Sequence, residues 1–94
     1  MDVDYDADKG SINRFKHKLS LAFGRHIFDD PAHIIIASFR PIDGEDRYEA
    51  VGMVKDRLHT VVYVWRGDRM RFISVRRSNR GEQGNYHRHS GGPE

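Results

Sequence analysis

Apolar positions in the first thirty residues recur at helical spacing. Ile12, Phe15 and Leu19 fall on one stripe, and Asp6 ahead of them is a good N-cap, so the spacing predicts a helix from Ala7 to about Lys18. Lys9, Arg14 and Lys16 lie away from that stripe. Ser20 is a second cap, for a short helix over "LAFGRHIF" that must stop before Asp29-Asp30-Pro31, because the residue before a proline resists helical geometry.

The period then changes. "HIIIASFR" (33–40), "RYEAVGMV" (47–54), "LHTVVYVW" (58–65) and "RMRFISVRR" (69–77) are short and rich in β-branched or aromatic residues. Turn chemistry separates them at Pro41 to Gly44, Lys55 to Arg57 and Arg66 to Asp68, which predicts a four-stranded antiparallel meander. The third run is nearly all apolar and should be central, covered on both faces. Simple alternation in the fourth sets Met70, Phe72, Ser74 and Arg76 against Arg71, Ile73, Val75 and Arg77, so both of its faces end in arginine. "HIIIASF" is expected in the core, or, at an edge, as a place for a partner strand to add.

From Ser78 a further helix can begin, with Glu82 and Tyr86 four apart on one face. Gly81 and Gly84 each cost it roughly 1 kcal/mol relative to alanine, which predicts a short or partial helix. The expectation is one α+β domain over residues 1–86, two N-terminal helices on a four-stranded antiparallel sheet, with 87–94 a disordered tail. No internal repeat is visible.

The chain has 94 residues, enough for one modest core and too few for a multidomain enzyme with its own cofactor fold. No cofactor is expected. The absence of cysteine excludes a disulfide framework, a thiolate zinc site and a cysteine nucleophile. No apolar run is long enough to span a bilayer and "MDVDYDADK" is acidic, so no membrane association and a cytoplasmic location are expected.

Charge sharpens the picture. The formal net charge is only +2, but residues 66–89 carry seven arginines against Asp68 and Glu82, and the last lysine is Lys55. A planar guanidinium matches phosphate, so a polyanionic partner is the first expectation.

The order of motifs is itself informative. "VDYDADK", then "FDDP", "DRYEAVGM" and "VVYVWRGDRMRFISVRR", with Glu82 and Tyr86 behind them, resembles the BrnT family of toxins from bacterial toxin–antitoxin pairs up to about Tyr86. Asp6, Lys9, Asn13, Lys16, His17, Phe28, Asp30, Pro31, Arg47, Gly52, Arg66, Gly67, Arg71, Ile73, Ser74, Arg76, Glu82 and Tyr86 carry the match. Departures are Lys18, where glycine is usual, Gly24 in place of alanine, and the glycines at 81 and 84. The resemblance implies a RelE-like fold with a basic groove beside the last strand and C-terminal segment. It also implies a ribonuclease that inhibits translation until a BrnA-like ribbon-helix-helix antitoxin wraps it, as a hetero-oligomer that reaches promoter DNA through the antitoxin.

Metal-independent RNA cleavage needs a deprotonated 2′-hydroxyl, stabilisation of the extra charge on phosphorus and a proton for the leaving 5′-oxygen. Arg71, Arg76 and Arg77 are candidates for the phosphate, against the alternatives that Arg77 is solvated and Arg71 pairs with a carboxylate such as Glu49. Glu82 is a candidate base or an ion-pair partner that orients Arg76 or Arg80. Tyr86 is placed to stack a base or polarise a phosphate oxygen, or else packs on the sheet edge. His17 ends a helix, where the dipole favours a cation, so it is a candidate acid or a cap on the last carbonyls. Lys16, Arg66 and Arg80 are candidate RNA contacts or plain surface charges. Trp65 is expected in the core, with base stacking or an antitoxin contact as the alternative.

His87 and His89 read as tail rather than as a metal site, and no metal is expected. The competing functions are a nucleic-acid-binding module without catalysis and a degenerate toxin acting only in a repressor complex.

Overall fold

The structure, a computed structural model, describes residues 2–40 and 45–89. The expected turn at Pro41 to Gly44 and the tail from Ser90 lie outside the described residues.

The caps act as their chemistry requires. Asp6 accepts from the backbone N–H of Asp8 (2.8 Å) and Lys9 (3.2 Å) and opens helix α1, Ala7–His17. Lys18 ends it in the left-handed region (φ 62°), its N–H donating to the Arg14 carbonyl. Ser20 accepts from the Phe23 N–H and starts a second helix, Leu21–Asp29, which is a 3-10 helix. Its buried residues, Leu21, Gly24 and Ile27, recur every third position, one per 3-10 turn.

The strands are β1 (Val3–Tyr5), β2 (Ile34–Arg40), β3 (Glu45–Val54), β4 (Arg57–Arg66) and β5 (Arg69–Arg77), and helix α2 (Arg80–His89) follows. Their order is β1-β5-β4-β3-β2, with β1 parallel to β5 and the other pairs antiparallel. The expectation of two N-terminal helices on a four-stranded antiparallel sheet, drawn as RelE-like, is therefore corrected. The sheet is mixed and five-stranded, and helices flank it from both ends of the chain. Three residues between aspartates give β1 no pattern of its own; its partner strand, almost seventy positions away, makes it a strand.

α2 is also fuller than a short or partial helix. Asn79 and Glu82 form a reciprocal capping box, each side chain accepting from the other's backbone N–H (2.8 and 2.9 Å). This cap and the burial of Glu82 and Tyr86 offset the two glycines, and the helix runs to His89, past the expected domain end at Tyr86.

One sheet face holds the main core, Leu21, Ile27, Ala50, Val61, Tyr63, Met70, Phe72 and Val75. The 3-10 helix comes so close to β3 that a Cβ on Gly52 would lie 2.5 Å from the Ile27 carbonyl oxygen. The other face is covered at one end by α2, through Tyr86 on Val51 and Leu58. The Tyr86 hydroxyl donates to Asp30 (2.6 Å), whose carboxylate also takes the N–H groups of Ala32 and Met53. Burial alone would raise the Asp30 pKa, but these hydrogen bonds, Tyr86 first, hold it below the usual carboxylate value.

α1 does not bury its expected stripe. Ile12 is 57% and Phe15 80% exposed, and only Leu19 packs on the core. The helix instead stands along the edge of β5 beyond the end of β1. There the buried Asn13 amide gives two hydrogen bonds, to the carbonyls of Leu19 (2.8 Å) and Val75 (2.9 Å), and accepts one from the Val75 N–H (2.8 Å). One side chain thus replaces a missing strand, satisfying backbone groups that would otherwise be buried unpaired.

β2 is the sheet's far edge, the alternative to a core position, with Ile35 52% exposed while Ile34 and Ile36 pack on the second cluster. Trp65 is 48% exposed and touches Tyr63 edge-on, at the margin of the core. β4 is central and buried on both faces, as its apolar run requires.

Candidate active site

The last strand does not alternate regularly. β4 and β5 lose register between Val62 and Tyr63, with Tyr63 opposite Phe72 and Val62 opposite Ser74, so Ile73 is the extra residue of a β-bulge. The bulge reverses the parity of β5. Met70, Phe72 and Val75 enter the main core together, while Arg71, Ser74 and Arg76 stand opposite Val64, Val62 and Thr60 on the other face. Arg71 and Arg76, five positions apart, would point to opposite faces of a regular strand; the bulge sets them on one.

β3 adds carboxylate to this face. Glu49 lies opposite Val62 and Val51 opposite Thr60, and alternation puts Arg47 on the same side. The open face therefore has an apolar floor from β4, with arginines and Glu49 on either flank.

Arg71 is held from β1. Its Nη2 donates to Asp4 Oδ2 (2.9 Å), its register partner, and both side chains are about one-third exposed. The alternative that Arg71 pairs with a carboxylate is thus met, by Asp4 in place of Glu49. Arg71 Nε is buried and makes no hydrogen bond among the described residues.

Arg76 is held from α2. Its two terminal nitrogens donate to the two Glu82 oxygens at 2.7 Å each, the bidentate geometry of a strong guanidinium–carboxylate pair. Glu82 Oε1 also accepts from Thr60 Oγ1 (2.9 Å) and the Asn79 N–H (2.9 Å), and Thr60 is hydrogen-bonded to Ser78 (2.8 Å). Burial would raise the Glu82 pKa, yet Arg76, Asn79 and Thr60 together hold it down at about 2. On the other side of Arg76, Glu49 Oε2 lies 3.9 Å from Nη2.

The remaining candidates are more dispersed. Arg77 is exposed at the end of β5, opposite His59 and on the other face from Arg76. Lys16 and His17 line a cleft of about 180 Å³ between α1 and β5, with Lys9, Ile12, Asn13, Ile73 and Ser74. Ser74 belongs to both the cleft and the open face, so it joins them. Arg66 ends β4 and Arg80 opens α2, both exposed. Tyr86 is buried beneath α2, its ring on the sheet and its hydroxyl on Asp30. Sequence reasoning named Glu49 only as a possible partner of Arg71, where the structure sets it beside Arg76, and missed Thr60. The only signal was strand register, which a bulge and a central strand conceal.

The site is a set of arginines anchored by carboxylates above an apolar floor, on a small α+β protein, and a planar guanidinium is chemistry that suits phosphate. A family model described as the ribonuclease toxin BrnT of type II toxin-antitoxin systems matches residues 5–82. The chain belongs to the BrnT family of ribonuclease toxins, whose type implies an RNA target and an antitoxin partner. A search of curated proteins found no match. No helix among the described residues is long and apolar enough to cross a membrane.

Proposed function

We propose that the open face cleaves RNA without a metal ion, by attack of a 2′-hydroxyl on the neighbouring phosphate, and that this activity inhibits translation. The observation that carries the reading is the bulge, which brings Arg71 and Arg76 to one face and leaves each tied to a carboxylate from another element. Arg71 contacts the scissile phosphate and offsets the charge that grows on its oxygens. Arg76 contributes positive charge beside it, oriented by Glu82, while Tyr86 holds α2 in place through Asp30.

His17 faces the adjoining cleft and gives a proton to the leaving 5′-oxygen; Lys16 steadies the backbone on the same side. Arg66, Arg77 and Arg80 guide the rest of the strand by charge. A BrnA-like ribbon-helix-helix antitoxin neutralises the toxin in a cytoplasmic hetero-oligomer, and the complex reaches promoter DNA through the antitoxin.

Expression without antitoxin is expected to arrest growth with loss of cellular RNA, and the Arg71→Ala/Arg76→Ala/Arg77→Ala variant is expected to be harmless. Growth curves and total RNA from induced cells check this. Equal harmlessness of the wild type and the variant would end the reading.

A further inference from the structure

The geometry points to Glu49 as the general base of the open face, taking the 2′-hydroxyl proton of an RNA strand whose scissile phosphate is held at Arg71. The inference rests on the ribonuclease reading and adds a residue to it.

Of the carboxylates around this face, Glu82 is 6% exposed and has both oxygens committed to Arg76. Asp4 is committed to Arg71. Glu49 has the longer 3.9 Å contact with Arg76 and a carboxyl–carboxyl hydrogen bond to Glu82, and a quarter of its side chain is exposed. It is the carboxylate there that can accept a proton without dismantling an arginine's anchor.

Its position fits the task. Glu49, Val62 and Ser74 form one row across β3, β4 and β5, so Glu49 and Ser74 are two strand spacings apart, about 10 Å at the backbone. The His17 cleft begins at Ser74. A phosphate above Val62 would then have a base on the β3 side and an acid on the β5 side, as in-line displacement requires.

The groups facing Glu49 are Arg76 from β5, Glu82 from α2 and Arg47 two positions along β3, while its β4 and β2 partners, Val62 and Ile36, do not titrate. Burial raises the Glu49 pKa, and the hydrogen bond and charge of Glu82 raise it further, while Arg76 opposes them. A carboxylate shifted upward is, once ionised, a stronger base than a solvated one.

The step balances. The 2′-oxygen–phosphorus bond forms as the phosphorus–5′-oxygen bond breaks, giving a 2′,3′-cyclic phosphate and a 5′-hydroxyl. The 2′-hydroxyl proton passes to Glu49, and the 5′-oxygen receives one from the His17 imidazolium. Exchange with water then restores both residues.

The test is the rate of cleavage of a labelled single-stranded RNA by the full chain across a pH series, comparing wild type, Glu49→Gln, Glu49→Asp and Arg71→Ala. Glu49→Gln is expected to lose at least about 10²-fold in rate, to keep RNA binding and the thermal midpoint, and to lose the fall in rate at low pH. Glu49→Asp is expected to retain part of the rate, with that fall displaced to lower pH. A Glu49→Gln protein within about threefold of wild type with the same acid limb, while Arg71→Ala is silent, overturns the role of Glu49 and leaves the ribonuclease reading standing. A wild type that does not cleave RNA removes the reading itself.

Discussion

Arg76→Ala is expected to abolish RNA cleavage and to destabilise the fold by about 3 kcal/mol, the usual cost of stripping one partner from a buried ion pair. The reason lies in what is left behind. Glu82 is 6% exposed, and without the fork it would be a buried carboxylate supported only by Thr60 and the Asn79 N–H. Since Glu82 is also half of the α2 capping box, the helix loses its start as well as its tie to β5. In a domain of this size such a loss corresponds to a fall in melting temperature of roughly 15 °C, read by circular dichroism. Arg76→Ala/Glu82→Gln removes the stranded charge and should recover part of the stability and none of the cleavage. A single variant that melts like the wild type would show that the pair does not hold α2.

The second large effect is on acid stability. Glu82 is held at about 2 in the folded protein against 4.5 ordinarily. A lowered carboxylate stabilises the fold in full above its unfolded value, and the stabilisation is lost as the pH falls from about 4.5 towards about 2. The difference corresponds to about 3 kcal/mol. Asp30 is also lowered and acts in the same direction. Glu49 acts oppositely: its pKa is raised, so its contribution is present at low pH and lost as pH rises through its folded value, which softens the slope.

Chemical denaturation at a series of pH values should show stability falling steeply below pH about 4.5. In Glu82→Gln the slope should be shallower and the stability at neutral pH lower. A Glu82→Gln protein with the wild-type slope would contradict the assignment.

Both effects converge on α2, the element that was hardest to read. Its two glycines argue against a helix, and what rescues it is the Asn79–Glu82 box and tertiary burial of Glu82 and Tyr86, neither of which follows from propensity. The caps at Asp6 and Ser20 and the four long strands were legible, because side-chain capping and period-two patterns are local physics. β1 was not, since three residues become a strand only through a distant partner.

The site was legible in composition and illegible in geometry. The run "RMRFISVRR" announces arginines near phosphate chemistry, but regular alternation places Arg71 and Arg76 on opposite faces. One bulged residue at Ile73 reverses that, and local sequence gives no sign of where a ladder slips. The structural role of Asn13 was hidden for a similar reason. A polar residue beside the Ile12–Phe15 stripe looks exposed, yet the open edge of β5 needs an amide more than it needs an apolar side chain. Glu49, a polar position on a half-buried strand, became a candidate only when the register set it beside Arg76.

Incubating the purified wild-type chain and its Arg71→Ala variant with end-labelled single-stranded RNA in excess EDTA tests the role of the open face most directly. Cleavage by the wild type to 2′,3′-cyclic phosphate and 5′-hydroxyl ends, absent from an equally well folded Arg71→Ala protein, is the expected result. Intact RNA in both lanes, or equal cleavage by both proteins, would contradict it.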